Sequence, residues 1–365
     1  SLVDAVLLRS LPVKAPEQLV QFKWLAGRGF KGFSYDGSSR RDEATGLRLS
    51  SSFPQQTFEQ FRDHQNVLTD LFAFAQLFEQ VNANVDGLSE ASSGLVVSGG
   101  YFGGLGVQPA LGRMITPEDD RSGAPAVVVL SHRYWERRFG ANNAVIGKQI
   151  NLNNAAFTIV GVTPPEFAGT MGGGSAPDLT VPMMMEPLIR GSNTSLNEQN
   201  LWWLLLMGRL RPGATAEQAQ TQLETVFQNI ALQSRNRPHN NQPEQLAPQD
   251  YPRLTVVSAQ RGDTDGSWDE RQSLYLLMTI VALVLLIACT NVANLLLASA
   301  AERQKEIAVR LALGAGRFRL IRQLLTEALM LATVGGVFGL IFANWGRDLL
   351  LKLRFPGQEF LPYQT

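Results

Sequence analysis

Residues 273–301 read SLYLLMTIVALVLLIACTNVANLLLASAA, without one charged side chain. A helix crosses the hydrocarbon core of a bilayer with about 20 apolar residues. This run is long enough to span a membrane with some tilt. A second candidate span, LLTEALMLATVGGVFGLIFANW at residues 324–345, carries only Glu327, near one end. Gly335, Gly336 and Gly339 give this second span a small-residue face that lets another helix pack closely. Glu327 sits near the interface, where a snorkelled or paired structural role fits better than an ion path.

The charges on either side of the first run set its direction. Arg303, Lys305, Arg310, Arg317, Arg319 and Arg322 follow it, against Glu302 and Glu306. Asp263, Asp265, Asp269 and Glu270 precede it, against Arg261 and Arg271. Short basic loops stay in the cytoplasm, so the arginine-rich stretch faces inward and the long region before residue 273 faces outward. An outward region of that size needs export. The sequence therefore leads to the expectation of a further span just ahead of Ser1, with its tail in SLVDAVLL, and another beyond Thr365. No signal peptide pattern opens the chain.

Composition excludes several classes of function. The 365 residues hold 32 basic and 32 acidic side chains, so no net positive field invites nucleic acid. The single cysteine, Cys289, lies inside the apolar run and makes neither an internal disulfide nor a cysteine metal site. His64, His132 and His239 are scattered without metal-ligand spacing. No cofactor is expected.

The outward region reads as mixed α and β. Phe58, Phe61, Gln65, Leu68 and Phe72 repeat at three and four, which predicts a helix over residues 55–72, with Ser52 and Gln55 as its capping box. A second helix is predicted over residues 216–234 from the stripe Ala216, Ala219, Leu223, Val226, Phe227 and Ile230, boxed by Thr215 and Gln218. Strand-like EQLVQFKW precedes the first helix, and LWWLLLMGRL and RLTVVSAQ flank the second. This order suggests two βαβ-like halves. Between them lie short β runs, GLVVSG, AVVVL, GKQINLN, FTIVGV and DLTVPM, punctuated by Gly and Pro, which suggest a β-rich insert near residues 88–198. The fold class expected is an α+β extracytoplasmic domain followed by transmembrane helices.

Four stretches invite a catalytic or ligand reading. GANNAVIGK at residues 140–148 has the wrong spacing for a phosphate loop and Gln149 in place of the Ser/Thr, so the chain carries no ATPase motif. SGGYFGGLG at residues 98–106 reads as a strand end, a tight turn and a helical turn. In SHRYW at residues 131–135, Ser131 reads as an N-cap, since no G-x-S-x-G elbow exists. Met183, Met184 and Met185 have no Cys or His neighbours and read as packing.

Several independent blocks then carry a resemblance that covers nearly the whole chain. ERQKEIAVRLALGAGRFRLIRQLLTEALML resembles the signature of the FtsX/MacB-like ABC transporter permeases. YFGGLGVQPALGR, VVLSHRYWERRFG, VIGKQINLNNAAFTIVGVTPPEF and WLLLMGRLRPGATAEQA resemble the MacB-type periplasmic core domain, most of all that of the duplicated orphan permeases of Acidobacteria. The resemblance implies a periplasmic core domain at residues 1–273 and the start of an FtsX-like permease domain at residues 274–365. Within the latter it implies a span at 274–301, a cytoplasmic coupling segment at 302–323, a span at 324–346 and an extracytoplasmic segment at 347–365.

It further implies a permease of the inner membrane that transmits motion from a separate ABC ATPase to the outer domain. The partners it implies are that ATPase, a second copy or a duplicated permease half, the lipid bilayer and a periplasmic or outer-membrane protein. In the coupling segment, Ile307, Leu311, Ala315 and Phe318 share one helical face, with Glu306, Arg310 and Arg317 beside it. Gly314 and Gly316 weaken the helix midway. The resemblance makes this face the dock for the ATPase. The competing reading is a membrane-tethered adaptor or sensor that regulates an extracytoplasmic partner without transport.

Overall fold

The computed structural model describes residues 10–27, 30, 34–35, 39–42, 45–171, 176–196, 198, 201–235, 247, 250–263 and 268–302, with isolated positions between 322 and 339. The chain divides into two compact units, Ser1–Leu274 and Tyr275–Thr365. The first unit opens with strands β1 (Leu19–Ala26), β2 (Ser34–Tyr35), β3 (Ser39–Arg41), β4 (Arg48–Ser50) and β5 (Ser52–Phe53), then helix α1 (Gln55–His64). Next come β6 (Leu68–Val85), β7 (Leu88–Val97), α2 (Tyr101–Leu105), β8 (Leu111–Gly112), β9 (Val127–Leu130) and α3 (His132–Phe139). There follow β10 (Gln149–Leu152), β11 (Ala155–Val162), β12 (Leu179–Pro182), α4 (Glu186–Arg190), β13 (Leu201–Trp202) and β14 (Leu204–Leu210). Then come α5 (Ala216–Arg235) and β15 (Arg253–Ser258), before the long helix α6 (Trp268–Glu302).

Four strands form the base in the order β15-β1-β14-β6, every neighbour antiparallel. The unit β1-α1-β6 therefore has β14 inserted between its parallel strands, and β14-α5-β15 has β1 inserted between its own. These are two interlocked split strand–helix–strand units. The simple βαβ halves expected from sequence are thus opened, each to admit a strand of the other. Both helices lie on one face. Phe58 and Phe61 of α1 and Leu223, Phe227 and Ala231 of α5 are buried with Val20, Phe22 and Trp24 of β1. Phe72 and Phe74 of β6 and Met207 of β14 point to the other face, where Tyr101, Phe102 and Leu105 of α2 cover them.

Five further strands close a ring with β6. From β6 the order runs β7, β12, β9, β11, β10 and back to β6 through Asn151↔Asn84 and Leu152↔Ala83. Two contacts, β7–β12 and β9–β11, are parallel and the others antiparallel. Closure leaves these strands without an unpaired edge. Val81, Ala83, Ile150, Leu152, Phe157 and Ile159 are buried in the same apolar cluster as the β1 residues. The middle section is therefore continuous with the base in both sheet and core, rather than a separate insert.

The predicted first helix is too long. It ends at His64, Gln65 is already extended, and Leu68 and Phe72 belong to β6. Those two residues fit a spacing of four, but in β6 they face opposite sides: Leu68 is buried with Leu71, Ala73 and Ala75, and Phe72 with Phe74, because the pairing with β14 skips a residue between Leu68 and Asp70. Gln65 Oε1 accepts from Leu68 N (2.9 Å), which turns the chain from helix into strand. The capping box at Ser52 does not form either. Ser52 pairs with Leu205 inside the sheet, Pro54 holds the N-cap position, and Gln55 Nε2 donates to Glu59 Oε1 (2.9 Å). The second box does form: Gln218 N donates to Thr215 Oγ1 (3.3 Å) and Thr215 N to Gln218 Oε1 (3.0 Å).

Arg209 locks α2 to the base. Its guanidinium donates to Gly104 O (2.9 Å), Ala15 O (2.9 Å) and Leu105 O (3.4 Å), the first and last being carbonyls at the end of α2. Burial lowers its pKa, and the charges of Asp70 and Glu17 work against that shift. Two adjacent glycines in α2 test the packing. A Cβ on Gly104 would stand 2.5 Å from the Phe72 ring, whereas one on Gly103 would meet nothing within 4 Å. Gly104→Ala should destabilise the outer unit by about 1–3 kcal/mol through overpacking. Gly103→Ala should be neutral or stabilising by up to about 1 kcal/mol through helix propensity. Urea unfolding of both variants checks the opposite signs.

Candidate coupling region

Helix α6 is apolar on every side. Its Met278–Leu295 stretch has mean hydropathy 2.1 and none of it is buried. Met278, Leu285 and Leu297 are 62%, 63% and 69% exposed. An all-round apolar helix is either a core helix or a membrane span, and this one lacks protein cover. It is the helix among the described residues that is long and apolar enough to cross a membrane. Thr290 satisfies its own hydroxyl by donating to Leu286 O (2.8 Å). Cys289 is exposed on the same helix.

The residues expected to dock an ATPase, Glu306, Ile307, Arg310, Leu311, Gly314, Ala315, Arg317 and Phe318, lie outside the described residues. Gly335, Gly336 and Gly339 are described and helical, and a Cβ on any of them would meet open space. Leu329 and Met330, in the same hydrophobic segment, are 68% and 71% exposed.

The stretches with a chemical look in the outer unit are structural. Ser131 Oγ caps α3 by accepting from Tyr134 N (3.2 Å). Gly140 ends α3 at φ +57°, with its N–H on Glu136 O (3.0 Å). Asn142 then caps a 3-10 turn by accepting from Ala144 N (2.9 Å). Met183 and Met185 are buried in the core. No group of acidic, His or Cys side chains among the described residues is placed to hold a metal. A cavity lined by Leu95, Tyr101, Ser131, Phe167 and Thr180 measures about 10 Å³, room for one water at most.

Three buried polar clusters escaped the sequence reading. Asp119 accepts two bonds from Arg113 (2.6 and 2.8 Å) and one from Thr116 N (2.9 Å). Burial pushes this carboxyl up, and the Arg113 and Thr116 donors outweigh that, leaving it below its ordinary pKa. Neighbouring Asp120 accepts from Gly99 N (2.9 Å) and Met184 N (2.8 Å), and burial holds its pKa up. Glu186, fully buried, accepts from Thr194 Oγ1 and from Ser195 N (2.9 Å). Each cluster staples a connection between strands. None offers a reacting group to solvent.

Split strand–helix–strand units and a closed barrel are followed in sequence by a helix with an exposed, uncharged stretch, Met278–Leu295, long enough to cross a membrane. The MacB-like periplasmic core domain family matches residues 26–226, and the FtsX-like permease C-terminal family matches residues 278–365. The chain belongs to the MacB-like periplasmic core domain family, with an FtsX-like permease part at its end. It is 30% identical over 226 residues to the pyoverdine export ATP-binding/permease protein PvdT of Pseudomonas syringae pv. tomato, covering 62% of this chain and 31% of that protein. It is 27% identical over 245 residues to the macrolide export ATP-binding/permease protein MacB of Aggregatibacter actinomycetemcomitans, covering 67% and 33%. The chain spans about a third of the length of these curated relatives. The crystal structure of the periplasmic region of MacB from Actinobacillus actinomycetemcomitans aligns with TM-score 0.42 and 15% identity, over 66% of this chain and 88% of that one.

The Arg113–Asp119 pair sets a pH dependence. A carboxyl whose folded pKa lies below its unfolded value stabilises the fold above the unfolded pKa, and that stability is lost as pH falls through the folded pKa. Thermal melting of the wild type should therefore drop more steeply below about pH 4 than that of Asp119→Asn, which lacks the titrating group. Parallel slopes would show that the pair contributes nothing.

Proposed function

We propose that this chain is a permease subunit of an ABC-type exporter, anchored in the bacterial inner membrane with the unit before α6 outside the cytoplasm. It acts as a mechanical transmitter. A separate ATPase docks on residues 302–323, and nucleotide-driven motion there passes along α6 to the outer unit. The observation that carries this reading is the order of parts: a firmly packed outer unit, an apolar helix with no protein cover, then a short arginine-rich segment. The 365 residues hold no phosphate-loop motif, which fits ATP hydrolysis by a domain or subunit outside them. Proteins named for macrolide and pyoverdine export among its relatives support export as the process. A second copy or a duplicated half completes the permease, and a periplasmic or outer-membrane protein receives the motion.

The docking face is built from Ile307, Leu311, Ala315 and Phe318, with Glu306, Arg310 and Arg317 on its flank and Gly314 as its bend. The Gly335, Gly336 and Gly339 face of the following span packs against another membrane helix, because small residues bring backbones close.

Two experiments test this reading. In a Cys289→Ser background, Ser192→Cys, on an exposed turn, should react with an impermeant thiol reagent on intact cells once the outer envelope is permeabilised. Protection of that site while a known outer site reacts rejects the orientation. Glu306→Ala, Arg310→Ala and Ala315→Trp should each weaken co-purification with the ATPase, the first two through an unpaired partner charge and the third by bulk. Membrane insertion should be unchanged, because most of the positive charges remain. Full ATPase binding and stimulation in all three variants would favour the adaptor reading and leave the arginines to orientation alone.

A further inference from the structure

The outer unit is entered and left on the same side of its four-stranded sheet. On the way in, Leu11 N donates to Gln260 O (2.8 Å) and Lys14 N to Leu105 O (3.2 Å). On the way out, Ala259 N donates to Leu19 O (2.8 Å), and Asp263 N to Thr170 O (2.7 Å). Gly262 lies between them at φ +78°, and a Cβ there would stand 2.5 Å from Thr170 O. The crossing is therefore tight enough to need glycine.

Asp263 closes this crossing from within. It is 3% exposed, and its Oδ1 accepts from Gln21 Nε2 (2.9 Å), a side chain of β1 that is 1% exposed. Thr170, fully buried, shares a hydrogen bond between its Oγ1 and the Tyr101 hydroxyl (2.9 Å) in α2. Thr170 also belongs to the connection that leaves β11 and returns as β12, so it is part of the barrel's own wiring. One carboxylate just before α6 thus grips β1 directly, and its backbone grips α2 and the barrel through Thr170. A flexible polar linker would need none of this, and a buried carboxylate is costly unless its partners are fixed. Among the described residues the cluster holds no metal-binding group, and nothing assigns it to catalysis.

We propose that Asp263 is the joint that carries displacement of α6 into the outer unit. With the joint closed, sheet, α2 and barrel move with the exit of the chain. With it open, residues 259–263 peel from the sheet edge and take up the displacement as slack. Asp263 is a positioning residue, and the proposal rests on the reading of this chain as a coupling permease.

The test uses the full chain in lipid nanodiscs with the ATPase that co-purifies with it. The protein carries Cys289→Ser and a donor dye at Gln108→Cys, an exposed position beyond α2, with acceptor lipids in the bilayer. In the wild type, ATP should change energy transfer as the outer unit shifts against the membrane. Asp263→Ala should lose that change while keeping ATPase co-purification and ATP hydrolysis. Asp263→Asn, whose carbonyl still accepts from Gln21, should keep it. An undiminished ATP-dependent change in Asp263→Ala overturns the joint and leaves the permease reading intact. No change in the wild type overturns the permease reading and the joint with it. If Asp263→Ala fails to fold, Gln21→Leu decides: loss of the change with the ATPase still bound supports the joint, and retention overturns it.

Discussion

The outer unit depends on one strand having two sets of neighbours. β6 runs for 18 residues, roughly 60 Å of extended chain, where most strands end after five or six residues. Its first part, Leu68 to Phe74, pairs with β14 and belongs to the base. Its later part pairs with β7 and, at Ala83 and Asn84, with β10, and belongs to the barrel. Backbone groups cannot be left unpaired in a core, so a strand that leaves one sheet must be received at once by another. The handover occurs at Phe74, which pairs with both Leu205 of β14 and Val97 of β7; the β7 pairing then shifts register between Leu77 and Val81, and Gly94 opposite Leu77 has no room for a Cβ. Because the shift preserves the alternation, Leu71, Ala73, Ala75, Leu77, Val81, Ala83 and Val85 all face one continuous apolar cluster. The base and the barrel are therefore one body.

That rigidity bears on what the chain does. Under the proposed coupling role, a separately folded insert would swing on its connections and lose any displacement passed to this unit. A barrel built on the same strand as the base moves with it. The buried polar groups act in the same direction. Arg209 fixes α2 to β14, Asp119 and Asp120 fix the connection after β8, and Glu186 fixes the turn after β12. Each carboxylate or guanidinium is spent on backbone or partner groups, which leaves no solvent-facing reactive centre among them. The Met278–Leu295 stretch of α6 is the opposite kind of surface, strongly apolar and without protein cover. Its length and hydropathy match those of a membrane span.

The two levels of structure were legible to different degrees. The uncharged run at residues 273–301 was legible, and α6 forms over it, because hydrophobic length is a property of contiguous residues. The Thr215–Gln218 box and the α5 stripe were equally local and held. The first helix was overrun because Leu68 and Phe72 stand four apart, as on a helix face, and only pairing with β14 makes them strand residues on opposite faces. The Ser52 box failed because sheet pairing claimed Ser52 before a cap could.

Sequence alone pointed to the family: blocks that resemble the MacB-like periplasmic core domain, an uncharged run of span length and an FtsX-like block after it. It also determined which short runs become strands, since alternation and Gly/Pro punctuation are written locally. Only the tertiary structure decided the order of those strands, the interlocking of the two split units and the closure of the ring by β10 on β6. It alone placed Gln21 on Asp263, 242 residues apart. Such contacts depend on which distant strands pair, and their partners share no local pattern, because hydrogen bonding between strands is blind to the distance along the chain that separates them.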